Sequence, residues 1–82
     1  MVTVNRAVAV GRADGPRAAL ALLAPVLADG RLDGYPPLHA AYADLLERAG
    51  DHDASVTAWR RAADAASNPA EQAALARRAA GV

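Results

Sequence analysis

Cysteine is absent from this chain, and so are lysine, isoleucine and phenylalanine. Without cysteine there is no disulfide scaffold, no thiol nucleophile and no cysteine-type zinc site. Aromatic residues amount to one Trp and two Tyr, so there is little from which to build a wide, sheet-backed core. No apolar run approaches the ~20 residues that a membrane-spanning helix needs, and no signal-peptide pattern of a basic stretch before an apolar one is present. Charge of one sign is also lacking. All nine basic residues are Arg, and nine acids balance them to a net charge of zero. No net field therefore marks a binder of nucleic acid or of membrane surfaces.

What the chain has is alanine. Of 82 residues, 54% are apolar, and 24 of these are Ala, against nine Leu and seven Val. Ala has the best intrinsic helix propensity, and it allows the closest approach between helices. The length fits one small domain, which buries only about two thirds of the surface its unfolded form exposes. Composition points to a small, soluble, all-α domain spanning residues 1–82.

Glycine and proline divide the sequence. Gly11 to Gly15 reads GRADG and Gly30 to Gly34 reads GRLDG. Gly50-Asp51-His52-Asp53 and Ser67-Asn68-Pro69 follow. Each cluster pairs a helix-ending Gly with a residue suited to begin the next helix. The two G-R-x-D-G runs read as two similar turns rather than a shared ligand site. Pro16 and Pro69 stand where the first residue of a helix belongs. Five helical segments are predicted, at about 2–12, 16–29, 37–49, 53–67 and 69–80.

The first segment has Val2, Val4, Val8 and Val10 alternating as a strand would, but a lone strand would have no partner here. Val4, Ala7, Val8 and Gly11 also recur at helical spacing, and a helix is expected. The second carries Ala19, Leu20, Leu23, Val26 and Leu27 on one face, with Leu22 on its flank. Pro25 lies inside it and should kink it, or end it near Leu23 or Ala24, because an interior proline costs ~3 kcal/mol. The third has a clear stripe of Leu38, Tyr42, Leu45, Leu46 and Ala49, with Pro36 and Pro37 fixing its start and Gly50 its end. In the fourth, Asp53 is the expected N-cap, and Val56, Trp59, Ala63 and Ala66 form the buried face. The fifth has only Leu75 as a large apolar anchor. It should be the least stable element, fraying or docking on something outside the chain.

Ala19-Leu20 and Ser55-Val56 both sit just after a turn, 36 residues apart, each within a helix–turn–helix unit used about two and a half times. Gly50, Ser55, Trp59, Ala62 and Pro69 follow in the order of the tetratricopeptide repeat, whose period is about 34 residues. The chain resembles that repeat, with Ser55 where Ala is usual, Pro69 two residues late, and Leu23 at the aromatic position of a degenerate first unit. The resemblance implies a stack of about five antiparallel helices in which each pair completes its core against the next.

A second resemblance covers nearly the whole chain. It rests on Asn5-Arg6-Ala7-Val8-Ala9-Val10, Asp14-Gly15-Pro16, Asp33-Gly34-Tyr35, Leu38-His39-Ala40-Ala41, Ala43-Asp44-Leu45-Leu46 with Arg48, Trp59-Arg60-Arg61-Ala62 and Asn68-Pro69-Ala70-Glu71. In this order and spacing they resemble the C-terminal tetratricopeptide-like extension of one group of bacterial extracytoplasmic-function sigma factors. The departures are Pro36-Pro37 before the His-Ala pair, Tyr42 where Arg is common, and Trp59 where Tyr is usual.

The resemblance implies a cytoplasmic, non-enzymatic, regulatory piece of a longer protein. Its partners would be proteins: the factor's own upstream domains, or RNA polymerase core. Promoter DNA would be reached only through upstream domains, since these residues contain no basic recognition helix. A stand-alone helical-repeat adaptor with no transcription role is the alternative. A monomer or a weak dimer is expected.

Residues with chemistry of their own also have blander roles. Ser55 lies three residues from His52, but both fall at a helix start, where capping is their usual work, and no third orienting group is evident. His39 and His52 lack the i,i+3 or i,i+4 spacing of metal ligands on a helix, and Asp51-x-Asp53 lacks the glycine and distal Glu of a calcium loop. No phosphate-binding fingerprint accompanies Gly15-Pro16. No catalytic residue, metal or cofactor is therefore expected.

What remains is a surface for protein. Turning Leu38, Tyr42, Leu45 and Ala49 inward leaves Ala40, Asp44 and Glu47 facing out. In tetratricopeptide-like stacks the first helix of each repeat lines the concave face. On that basis Ala40, Asp44, Glu47, Arg48, Glu71 and Arg78 are groove candidates. Asp44 and Arg48 also form an i,i+4 pair in the favourable order, worth ~0.3–0.5 kcal/mol as helix-surface electrostatics alone. Tyr35 and His39 read either as local packing of the turn on the third helix or as part of the contact site. Trp59 is expected in the core.

Overall fold

The computed structural model describes residues 2–80, with side chains described from Asn5 onward. Five α-helices follow one another: α1 (Val2–Asp14), α2 (Pro16–Asp29), α3 (Pro36–Arg48), α4 (His52–Ala65) and α5 (Pro69–Ala79). No strand occurs among the described residues. The chain is an all-α helical stack, and the alternating valines of the first segment lie on a helix. No helix of the described residues is long and apolar enough to cross a membrane.

The boundaries have local causes. Gly30 caps α2 in the left-handed conformation, with φ 79°, which a residue bearing a Cβ adopts only at a cost. At the end of α3, the Gly50 N–H donates to the Glu47 carbonyl and the Asp51 N–H to the Leu46 carbonyl. These paired bonds satisfy two of the carbonyls that a helix end leaves free. Pro36 begins α3, and Pro69 begins α5 behind Asn68, whose side chain accepts from the Ala70 and Glu71 N–H groups.

The expected boundaries need four corrections. First, α1 does not stop at residue 12 but runs through Gly11 to Asp14. A Cβ on Gly11 would lie 2.9 Å from Leu45 Cδ2 and 3.4 Å from Ala19 Cβ. Gly11 is a contact point between helices, not a terminator. The two G-R-x-D-G runs are accordingly not similar turns: the first is mostly helix, and the second is a cap followed by a turn. Second, α2 neither ends nor restarts at Pro25. Third, α4 is capped by Asp51, which accepts from the Ala54 N–H, and Asp53 lies in its first turn. Fourth, two faces differ in part from expectation. Val8 is exposed, while Ala7 is buried, and the side chain of Val4 lies outside the described residues. In α4 the buried residues are Ser55, Ala58, Trp59 and Ala62; of the expected face Trp59 and Ala66 are buried, while Val56 and Ala63 are half-buried.

The central helix is α3. It packs most extensively on α4 and more lightly on α2 and α1, while α1 pairs with α2 and α5 with α4. Leu38 and Leu45 of α3 close a first cluster with Ala7, Ala19 and Leu23. Ala43 and Leu46 close a second with Ala58, Trp59 and Ala79. Leu20 and Tyr42 pack against both clusters. Small side chains at Ala7, Ala19, Ala43 and Ala62, all fully buried, let the helix axes approach closely. The Ser55 hydroxyl donates to the Ala43 carbonyl at 2.8 Å and ties α4 to α3. The hydroxyl explains why Ser is tolerated where Ala is usual: a buried polar group must be paired, and here it is.

Candidate functional site

The residues expected to form a protein-binding face divide into three groups. Asp44, Glu47, Arg48 and Arg78 form a charged surface across α3 and α5. Arg48 Nε lies 3.1 Å from Asp44 Oδ2 along α3, and Arg78 reaches Glu47 at 3.8 Å from α5. Both pairs are about half exposed, so each contributes at most ~1 kcal/mol. The Arg78 guanidinium also lies over the Trp59 ring, 4.5 Å from its centroid. That contact fixes one charge of the face on the second core cluster, for ~0.5–1 kcal/mol more.

The second group is buried. His39 is only 4% exposed, and its Nε2–H donates to the Asp33 carbonyl at 2.6 Å. It locks the α2–α3 turn onto α3 and is not available to a partner. Tyr35 precedes α3, half-buried, and packs on the first cluster. For these two residues the geometry is that of local packing. Ala40, expected to face out, is half-buried against the Trp59 cluster.

The third group is Glu71 alone. It is exposed in the first turn of α5, and its N–H is taken by the Asn68 side chain. Among the described residues no ion pair joins it to the charged face. The Ser55 hydroxyl is buried and donated to the Ala43 carbonyl, while His52 is exposed.

Sequence reasoning missed a groove on another side of the molecule. Leu27 of α2, Tyr42 of α3, and Ala58 and Arg61 of α4 line a cavity of about 300 Å³. It adjoins a second of about 450 Å³, lined by Asp33, Gly34, Arg61 and Asp64. His39 and Arg61 border both. The available signal was Arg61 itself, one turn from Ala58 and beside a core Trp. Its neighbours across the groove come from helices distant in sequence, so spacing along α4 could not supply them.

No family model matches this sequence, and no solved structure matches it. Among curated proteins it is similar to the uncharacterized protein R00370 of Rhizobium meliloti (strain 1021), at 42% identity over 73 residues. The match covers 89% of this chain and 17% of that protein. The chain thus spans about a sixth of the length of the relative it matches.

Proposed function

We propose that this chain is a non-catalytic, protein-binding regulatory domain of a cytoplasmic extracytoplasmic-function sigma factor. Its partner is the factor's own upstream domains or RNA polymerase core. The observation that carries the reading is the ordered set of motifs from Asn5-Arg6-Ala7 to Asn68-Pro69-Ala70-Glu71. The five-helix stack supports it, since a helical repeat offers broad surfaces to other proteins. The similarity to part of a much longer protein supports a domain that works within a larger chain. The charged face of Asp44, Glu47, Arg48 and Arg78 is the contact surface in this reading. Its acids and arginines are mutually compensated, which suits a surface that selects by charge pattern rather than by net attraction.

Deleting the corresponding segment from the intact factor and measuring promoter-dependent transcription tests the reading. Lost or deregulated transcription is expected. Unchanged activity together with unchanged inducibility would contradict it.

A further inference from the structure

His39 is closed to a protein surface but not to a small molecule. The residue is 4% exposed, and it lines both of the adjoining cavities. Its Nε2–H is given to the Asp33 carbonyl, so in the neutral ring Nδ1 carries the lone pair and accepts. No hydrogen bond among the described residues uses Nδ1. Yet no buried side-chain nitrogen or oxygen among them is without a partner. Nδ1 therefore lies on the small exposed edge of the ring, and the cavities are what that edge meets.

Arg61 borders the same two cavities. It is exposed, and none of the ion pairs within 4 Å among the described residues involves it. It is the one permanently charged side chain lining the smaller cavity, whose other walls include Leu27, Tyr42 and Ala58. Asp33 and Asp64 border the larger one. Each group defines the ligand by what it leaves unmet. Arg61 calls for a carboxylate, and Nδ1 for an N–H or O–H donor. The apolar walls take hydrocarbon, while Asp33 and Asp64 disfavour a second negative charge. The volumes, about 300 and 450 Å³, fall within the ~300–1,000 Å³ of small-molecule sites.

We propose that these cavities bind a small monocarboxylic acid that has an apolar body and one hydrogen-bond donor. Its carboxylate is held by Arg61 and its donor by His39 Nδ1. The proposal does not depend on the protein-binding role of the charged face, nor on which parent protein carries the chain.

The test titrates N-acetyl-leucine into the isotopically labelled chain while backbone amides and histidine ring nitrogens are followed by NMR. Two neutral-or-blocked analogues serve as controls: N-acetyl-leucinamide lacks the charge, and N-acetyl-N-methyl-leucine lacks the donor. N-acetyl-leucine should bind with a Kd of about 1–10 mM. It should shift the amides of His39 and Arg61 and the His39 Nδ1 resonance, with Nε2 still protonated. It should bind about fivefold more tightly than the amide and about threefold more tightly than the N-methyl acid. Arg61→Gln changes an exposed side chain and should abolish the preference for acid over amide; its fold is checked by circular dichroism. Absent shifts at His39 and Arg61, equal binding of the acid and either analogue, or a preference kept in the folded variant would each overturn the proposal. Tighter binding of the peptide acetyl-Ser-Ser-Ser-Leu would make the occupant a chain terminus and overturn it too. Because only the chain and defined small molecules are used, such a failure leaves the transcription experiment on the parent factor unaffected.

Discussion

Gly11 shows how one missing side chain decides a helix crossing. It is helical, so its conformation requires no glycine, but its neighbours do. Leu45, whose methyl would be 2.9 Å from an added Cβ, is only 3% exposed and has little room to move aside. For Gly11→Ala, the helix-propensity gain of about 1 kcal/mol is set against a comparable packing cost, and the change should be near neutral. Gly11→Val adds two further carbons against Leu45 and Ala19 and should destabilise by about 1–3 kcal/mol. A urea midpoint measured on the two variants checks this, and equal midpoints would mean that α1 does not press on α3 there. Sequence alone reads Gly11 as a terminator because glycine is a poor helix former. Leu45, the reason for it, lies more than thirty residues away. His39 was ambiguous for the same kind of reason: its fate depends on the Asp33 carbonyl, a backbone group that carries no residue signature.

Among the helices, α2 carries a proline well inside its length. Pro25 is exposed and lies inside a continuous helix. It can donate no hydrogen bond, and its ring crowds the carbonyl one turn earlier. Pro25→Ala should therefore raise stability by about 1–3 kcal/mol, seen as a higher thermal or urea midpoint. A lower midpoint would show that the ring makes packing contacts worth more than the lost bond. The five elements were legible because Gly30, Gly50, Pro16 and Pro69 punctuate the chain, and glycine and proline act locally. The exact faces were less legible. With five Ala among the fourteen residues of α4, a small rotation can exchange one small apolar side chain for another. Only Ser55, bonded to Ala43, and the Trp59 ring fix the register. In α5, Leu75 is half-buried and Ala79 is the one buried residue. Arg78 over Trp59 supplies an anchor that hydrophobic patterning does not count.

Across the molecule, the two core clusters meet at α3, with Leu20 and Tyr42 touching both. Such sharing predicts that the stack unfolds as one unit. Leu23 belongs to the first cluster and is fully buried; Leu23→Ala should cost about 2–5 kcal/mol. The loss should be reported equally by Trp59 fluorescence, a probe of the second cluster. A Trp59 midpoint that stays put would mean two independent units. That loss is a large fraction of the whole stability of a chain this short, about 4–12 kcal/mol, so the variant is best studied at low temperature. The arrangement of exposed surfaces follows from the stacking. It sets the compensated charges of Asp44, Glu47, Arg48 and Arg78 on one side and the Arg61 groove on another. Asp44, Glu47, Arg48 and Arg78 are legible from the α3 stripe and the repeat resemblance, but stacking is a long-range property, and for that reason the Arg61 groove could not be drawn from spacing alone. The function proposed for them meets its most direct test in a reconstituted transcription assay. RNA polymerase core is combined with the parent factor lacking this segment, with and without the purified chain added in trans. The proposal predicts that truncation changes promoter-dependent transcript levels and that the added chain moves them back toward those of the intact factor. Transcript levels that are identical with intact factor, truncated factor and added chain would contradict it.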